Sequence, residues 1–133
     1  MEQLLIHLVG DYVTQSEWMA NNKTKRHWPA LCHALVYSLP FLLIGSLKAW
    51  SVIFVTHFFI DRYRLARYVI FLKNHILRPQ DIGACLHWFE EDWEDCKGTG
   101  YPSATPAWLA VWLMIVCDNT MHLAINYAAL RWL

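Results

Sequence analysis

Three histidine–aspartate pairs recur at a spacing of four residues: His7/Asp11 in IHLVGD, His57/Asp61 in HFFID and, in reverse order, Asp118/His122 in DNTMH. On a helix, residues at i and i+4 share a face, with Cβ atoms about 5–6 Å apart. Each pair lies in apolar sequence, as does a further histidine, His33, in CHALVYSLP. Ionisable groups in such segments are costly and usually face a bundle interior or a wet cavity. Taken singly, each has a simple explanation. His33 alone would more often be a satisfied core histidine than a ligand. Asp118 alone could be a protonated carboxyl or a helix–helix hydrogen bond.

Counted together, these seven side chains fall on four apolar segments, and helical bundles build metal sites from inward side chains on facing helices. A divalent cation would offset the burial of three carboxylates and take neutral imidazole nitrogens as ligands. The His/Asp mixture, with no thiolate spacing, suits Zn²⁺, Mn²⁺ or Fe²⁺ better than Ca²⁺. The set exceeds what one zinc needs. Two ions are expected, or one ion with Asp–His orienters and a general base. A purely structural polar network is the simpler alternative. No competing motif is present: GxSxG, P-loop, GxGxxG and HExxH are all missing from the sequence. His57 and Asp61 are not adjacent, unlike the dyad of HD phosphohydrolases.

Composition points to a membrane. The chain has 133 residues, 56% of them hydrophobic, with eight tryptophans and 17% charged. A soluble domain carries about 45–50% apolar and about 25% charged residues. Eleven basic and eleven acidic residues cancel, which removes the electrostatic case for nucleic acid. The four cysteines form no CxxC and read as buried thiols, not as a disulfide framework or zinc knuckle. The apolar start LLIHLVG is short and lacks a basic flank, so no cleavable signal peptide is expected.

Four helices must position the histidines and aspartates. Residues 1–20 carry Leu4, Leu5, Leu8, Tyr12 and Val13 at helical spacing, with His7, Asp11 and Gln15 along one face. A polar, basic break at 21–28 follows, and Pro29 suits the start of the next helix. Residues 29–47 carry no formal charge over nineteen positions, and about 20 helical residues span a bilayer core. This predicts a spanning helix kinked at Pro40. Residues 49–76 read as one long helix, apolar to Ile60 and basic-amphipathic beyond it. The connector at 77–105 is Trp-rich and acidic, then loop-like. A short interfacial helix is expected over about 81–95, with Trp88, Phe89 and Trp93 on one face and a surface-polar His87/Glu91 pair. Residues 106–132 form a second spanning candidate, whose only formal charges are Asp118 and Arg131. The expected fold is all-α: a single domain over 1–133, a four-helix integral membrane bundle with a polar His/Asp centre and an interfacial connector at about 77–105. KTKR at 23–26 and RYRLAR at 62–67 suggest a cytoplasmic side. The first helix could be re-entrant or interfacial, and the number of crossings stays open.

The stretches HLVGDYVTQSEWMANNK, CHALVYSLP, THFFIDRYR and CDNTMHLAINY together resemble the DUF3307 family, small bacterial and phage proteins thought to sit in the membrane. The matching positions are His7, Asp11, Gln15, Lys23, His33, His57, Asp61, Asp118 and His122. Where the family often has Asp-Gln before the last histidine, this chain has Asp118-Asn119, which keeps the amide type. The connector at 77–105 has no counterpart. The arrangement is also similar to a small membrane family labelled metal-dependent hydrolases, with buried His and Asp at helix ends.

These resemblances imply a protein of the bacterial inner membrane that uses one or two divalent ions to hydrolyse a phosphoester or acyl bond near the membrane surface. His7, Asp11, His33, His57, Asp61, Asp118 and His122 would be ligands, with Asp61 and Asp118 catalytic. Gln15 and Lys23 would contact an anionic, phosphate-containing substrate. Arg62, Arg64 and Arg67 would draw lipid phosphate, although they read more readily as a positive-inside signal than as substrate ligands, and Lys23 reads equally as a solvated helix-end charge. Two other readings compete. One is a non-catalytic membrane protein serving as a metal or proton relay, in transport or in partner regulation. The other is a soluble helical phosphohydrolase with an apolar core.

Overall fold

The computed structural model describes residues 2–76 and 88–133, and all regular structure among them is helical. His87, Cys85, the side chains of Trp88 and Phe89, and the start of the helix expected at 81–95 lie outside the described residues. The chain divides into two compact units: residues 1–64 with 119–133, and residues 65–118.

In the first unit, α1 spans Glu2–Leu8 and passes into a π-helical turn, Val9–Val13. The single helix expected over 1–20 is therefore interrupted, and α2 (Glu17–Asn22) starts afresh on a Ser16 cap. The Ser16 hydroxyl accepts from the Met19 N–H at 3.3 Å, satisfying one of the donors a helix start leaves open. Next comes α3, His27–Ser38, with Pro29 in its first turn, and then a 3₁₀ segment, Leu39–Leu43, with Pro40 near its start. The charge-free run 29–47 is thus a helix that tightens at Pro40 and stops, not one long rod. A proline ring removes an N–H and crowds the preceding turn, which favours such a change.

Ser46 caps α4 (Leu47–Tyr63), its hydroxyl accepting from the Ala49 N–H at 3.1 Å. The long helix expected over 49–76 breaks at Arg64, which adopts a left-handed conformation (φ 52°, ψ 53°). A non-glycine residue there costs about 1–2 kcal/mol. The return is a helix end whose Arg64 N–H reaches the Asp61 carbonyl at 3.3 Å.

The polarity of the first unit is inverted. The buried stripe of α3 runs Ala30, His33, Ala34, Tyr37 and Ser38, and that of α4 runs Ala49, Ile53, His57, Ile60 and Asp61. Residues 119–133 of the last helix, α7 (Ala107–Trp132), bury His122, Asn126 and Ala129. Leu31, Leu35, Leu39, Leu43, Val52, Val55 and Phe59 face outward. The imidazoles thus lie inside, under a partly exposed layer of leucine, valine and phenylalanine. Small residues at the packing faces let the helices approach closely. Tyr37, Phe41, Ala49, Ile53 and Ala129 form the apolar core at one end of the unit.

The second unit holds α5 (Leu65–Ile76), α6 (Trp88–Cys96) and the start of α7, residues 107–118. The Trp93 ring lies against Tyr68 at 4.8 Å and edge-on to Phe71 at 5.0 Å, which seats α6 on α5. Arg67 ties the turn after α6 to α5, donating to the Lys97 carbonyl at 3.0 Å and to the Tyr68 hydroxyl at 2.9 Å. Gly100 (φ 85°) passes so close to the Arg67 carbonyl and Ile70 that no side chain fits. The Ser103 side chain and N–H hold the Asp95 carboxyl below its ordinary pKa. Cys96 is buried, Cys32 and Cys117 are half-buried, and all three are free thiols.

Among the described residues one helix, Ala107–Trp132, is long and apolar enough to cross a membrane. Only 11% of its most apolar window is buried. Trp108 and Trp112 are exposed near one end and Trp132 at the other. The 24 steps from Trp108 to Trp132 cover about 36 Å at 1.5 Å per residue. That length is comparable with a hydrocarbon core about 30 Å thick.

Candidate metal centre

The first unit brings most of the histidines and aspartates singled out from the sequence into one buried cluster. Position comes first from the helices. His33 lies in the second turn of α3, while His57 and Asp61 occupy the last two turns of α4 on its inward stripe. Asp11 sits in the π-helical turn, a feature that frequently marks functional sites. That turn fits because Gly10 lies against the Tyr37 ring: a Cβ at Gly10 would stand 2.5 Å from Tyr37 Cδ2.

Four atoms define the centre. His33 Nε2 and His57 Nε2 face each other at 3.0 Å. Asp61 Oδ2 is 3.0 Å from the first and 3.2 Å from the second. Asp11 Oδ1 is 3.3 Å from His33 Nε2 and 3.5 Å from His57 Nε2. A tetrahedral ion with ligands at about 2.0–2.1 Å requires ligand–ligand separations of about 3.3–3.4 Å. These five distances, 3.0 to 3.5 Å, lie around that value, and the two aspartates fall in different triads, Asp11 with His33 and His57, Asp61 with His57 and His122. A second triad adjoins the first through His57: His122 Nε2 lies 3.4 Å from Asp61 Oδ1, and His57, Asp61 and His122 can each offer one ligand atom within 4.8 Å of the others.

The rings are oriented by packing. Tyr37 stacks on His57 with centroids 3.6 Å apart and planes at 17°, and the His122 ring lies 4.1 Å from the His57 ring, tilted at 32°. The Nδ1 atoms of His33 and His57 are buried without a hydrogen-bond partner among the described residues, so no carbonyl or carboxylate fixes those two rings in the way usual for metal ligands. Asp11 Oδ1 likewise has no hydrogen-bond donor, as expected of an acceptor placed to meet a cation.

His7 is placed differently from the other histidines. Its Nδ1 is 2.8 Å from the Tyr37 hydroxyl and 3.4 Å from Asp11 Oδ2, and its Nε2 is 3.2 Å from Asn119 Oδ1. An amide oxygen can only accept, so Nε2 carries the proton and Nδ1 is left to accept from the Tyr37 hydroxyl. That hydroxyl in turn accepts from Asn126 Nδ2 at 2.7 Å. His7 is thereby held beside Asp11, one layer behind the converging atoms.

Lys23, at the end of α2, reaches into the cluster. Its Nζ donates to Asp61 Oδ2 at 2.8 Å and lies 3.4 Å from His33 Nε2. Gln15 is half-buried, and its Oε1 has no hydrogen-bond partner among the described residues. Asp118 belongs to the second unit and is in neither group of converging ligand atoms. Arg62 is spent on the chain itself: it donates to the Thr24 carbonyl at 2.7 Å, the Lys25 carbonyl at 3.4 Å and His27 Nδ1 at 3.3 Å.

Two participants were not singled out from the sequence: Tyr37 and Asn126 lie four residues after His33 and His122. Helical spacing from each histidine would have found them.

A family model described as a protein of unknown function, DUF3307, matches residues 1–80. The chain belongs to the DUF3307 family. The DUF3307 match takes in α1 to α5 and all of His7, Asp11, Gln15, Lys23, His33, His57 and Asp61. It ends before α7, so Asn119, His122 and Asn126 are contributed by a part of the chain beyond it. No curated protein and no solved structure matches this chain.

Proposed function

We propose that this DUF3307 protein is a membrane-embedded metal protein that hydrolyses a phosphoester or acyl bond near the membrane surface. The observation that carries the reading is the convergence of two buried triads that share His57: Asp11, His33 and His57, and His57, Asp61 and His122. Two carboxylates and one ammonium leave this pocket one negative charge in excess, and a buried uncompensated charge is expensive. Zn²⁺, Mn²⁺ or Fe²⁺ fits the donor set. Such an ion supplies Lewis acidity and lowers the pKa of a coordinated water toward about 7. Asp61 Oδ1, on the His122 side, is placed to hold a proton from an attacking water, with His122 3.4 Å behind it. Tyr37 keeps the His57 ring in plane, and His7 steadies Asp11. Lys23 is the cation nearest the pocket with part of its side chain in solvent, 19% exposed, and would meet an anionic oxygen of the substrate. The exposed apolar faces of the first unit and the tryptophans of α7 support a bilayer location.

The Lys23–Asp61 pair favours a second reading, a non-catalytic polar network in which the lysine is the resident cation. Metal analysis of detergent-purified protein, then hydrolysis of phosphoester and acyl lipids with and without chelator, separates the two. About one or two ions per chain and chelator-sensitive turnover support the enzyme. Ion binding without turnover leaves a metal protein of another kind, and no ion at all leaves the network.

A further inference from the structure

We propose that Lys23 is a tethered competitor for the metal: its ammonium occupies one face of the ligand set in the ion-free protein and swings out when a divalent cation enters. The proposal rests on the metal reading above and adds a device that controls it.

The geometry is specific. Lys23 Nζ stands 2.8 Å from Asp61 Oδ2 and 3.4 Å from His33 Nε2, two of the four converging atoms. An ion ligated by Asp61 or His33 would need the same lone pairs, at a usual ligand distance of about 2.0–2.2 Å. Asp61 Oδ2 would then have two cations on one side, and His33 Nε2 would turn its lone pair from the ammonium to the ion. Repulsion between a divalent charge and an ammonium within a few ångströms in a buried pocket is strong. One of them leaves, and Lys23 is the one with an exit. Asp61 is 4% exposed and His33 1%, whereas the Lys23 side chain is 19% exposed and flexible.

The backbone need not move. Arg62 clamps the following turn by its bonds to the Thr24 and Lys25 carbonyls. His27, at the start of α3, stacks on Phe58 of α4 at 6.4 Å. With the turn held on α4, Lys23 departs by rotation about its side-chain bonds. A released ammonium at the mouth is then free to meet an anionic substrate group.

The direction of the effect is unusual for a residue touching a site: removing Lys23 tightens metal binding. In the full chain purified in detergent, Zn²⁺ titration calorimetry on Lys23→Met should give an affinity about 5- to 150-fold above wild type, the usual size of a coupling between two ligands of one protein. Lys25→Met makes the same change of charge one residue beyond the clamped Thr24 and should stay within about twofold, as for an exposed charge. A fit that shows Lys23→Met unchanged or weaker than wild type overturns the competitor role. So does an equal gain from Lys25→Met, which would mean loss of general surface charge.

A second measurement serves if the variant folds poorly. Acylation of wild-type Lys23 by an amine-reactive ester, read by peptide mass spectrometry, should rise on Zn²⁺ saturation. Unchanged or lowered labelling at proven saturation overturns the proposal. If wild type takes up no Zn²⁺, Mn²⁺ or Fe²⁺, the metal reading itself fails and the competitor role falls with it.

Discussion

Gly10→Ala probes the packing that places Asp11 and His57 together. The new methyl would stand 2.5 Å from Tyr37 Cδ2, 3.2 Å from Cε2 and 3.3 Å from Cγ. Carbon atoms rest comfortably at about 3.5–4.0 Å, so the overlap approaches 1 Å along one edge of the ring. Tyr37 has nowhere to go. It is fully buried, stacked on His57 at 3.6 Å, and held through its hydroxyl by His7 and Asn126. Two effects oppose each other. Alanine in place of a helical glycine stabilises by about 0.5–1 kcal/mol, and overpacking costs about 1–3 kcal/mol. The clash wins, for a net loss of about 1–2 kcal/mol. Reversible unfolding in detergent micelles measures it. Combining Gly10→Ala with Tyr37→Leu in a double-mutant cycle isolates the contact, because the smaller side chain gives the methyl room. If Gly10→Ala matches or exceeds wild-type stability, the ring does not lie over Gly10 and the placing of Asp11 is wrong.

Tyr37→Phe keeps the stack on His57 but strands His7 Nδ1 and Asn126 Nδ2; a loss of about 1–3 kcal/mol in unfolding free energy is expected, the cost of unmet buried polar groups. In the second unit, Gly100→Ala meets both a left-handed backbone (φ 85°) and Ile70, so it should destabilise by about 2 kcal/mol or more, read from protease resistance of the 65–118 region. Metal retention should fall as the medium is made acidic, because imidazole ligands must be neutral and protons compete for them; dialysis at stepped pH followed by metal analysis tests this, and retention unchanged even in strong acid would speak against histidine ligands. Carbonate-washed membranes should keep the protein and detergent should release it; recovery in the aqueous wash contradicts the α7 span.

Much of the site was legible because its residues announce themselves: an imidazole or carboxylate in apolar sequence must be accounted for wherever it falls. The inward stripes at His33 and at His57/Asp61 follow from helical spacing, and the long apolar helix at Ala107–Trp132 follows from length and charge. Three features depended on tertiary contacts. The π-helical turn arises where Gly10 meets Tyr37, a residue far along the chain in a different helix, and periodicity does not register it. The break at Arg64 puts a non-glycine residue in a left-handed conformation, against local preference, so 49–76 reads as one rod in sequence. Lys23 reads from sequence as either a contact for an anionic group or a solvated helix end, and its place on Asp61 and His33 comes from the fold, with the turn after it clamped by Arg62. Asp118 shows the reverse case. Its spacing to His122 equals that of the other pairs, yet it falls in the second unit, because a long continuous helix serves both units with successive turns.

Anomalous scattering from metal-loaded crystals, collected at the edge of the bound ion, tests the centre most directly. A single strong peak about 2.0–2.2 Å from His33 Nε2, His57 Nε2, Asp11 Oδ1 and Asp61 Oδ2 is the predicted result, with Lys23 turned outward. A map with no peak there and Lys23 still bonded to Asp61 would show that the lysine, not a metal, is the cation this cluster was built to hold.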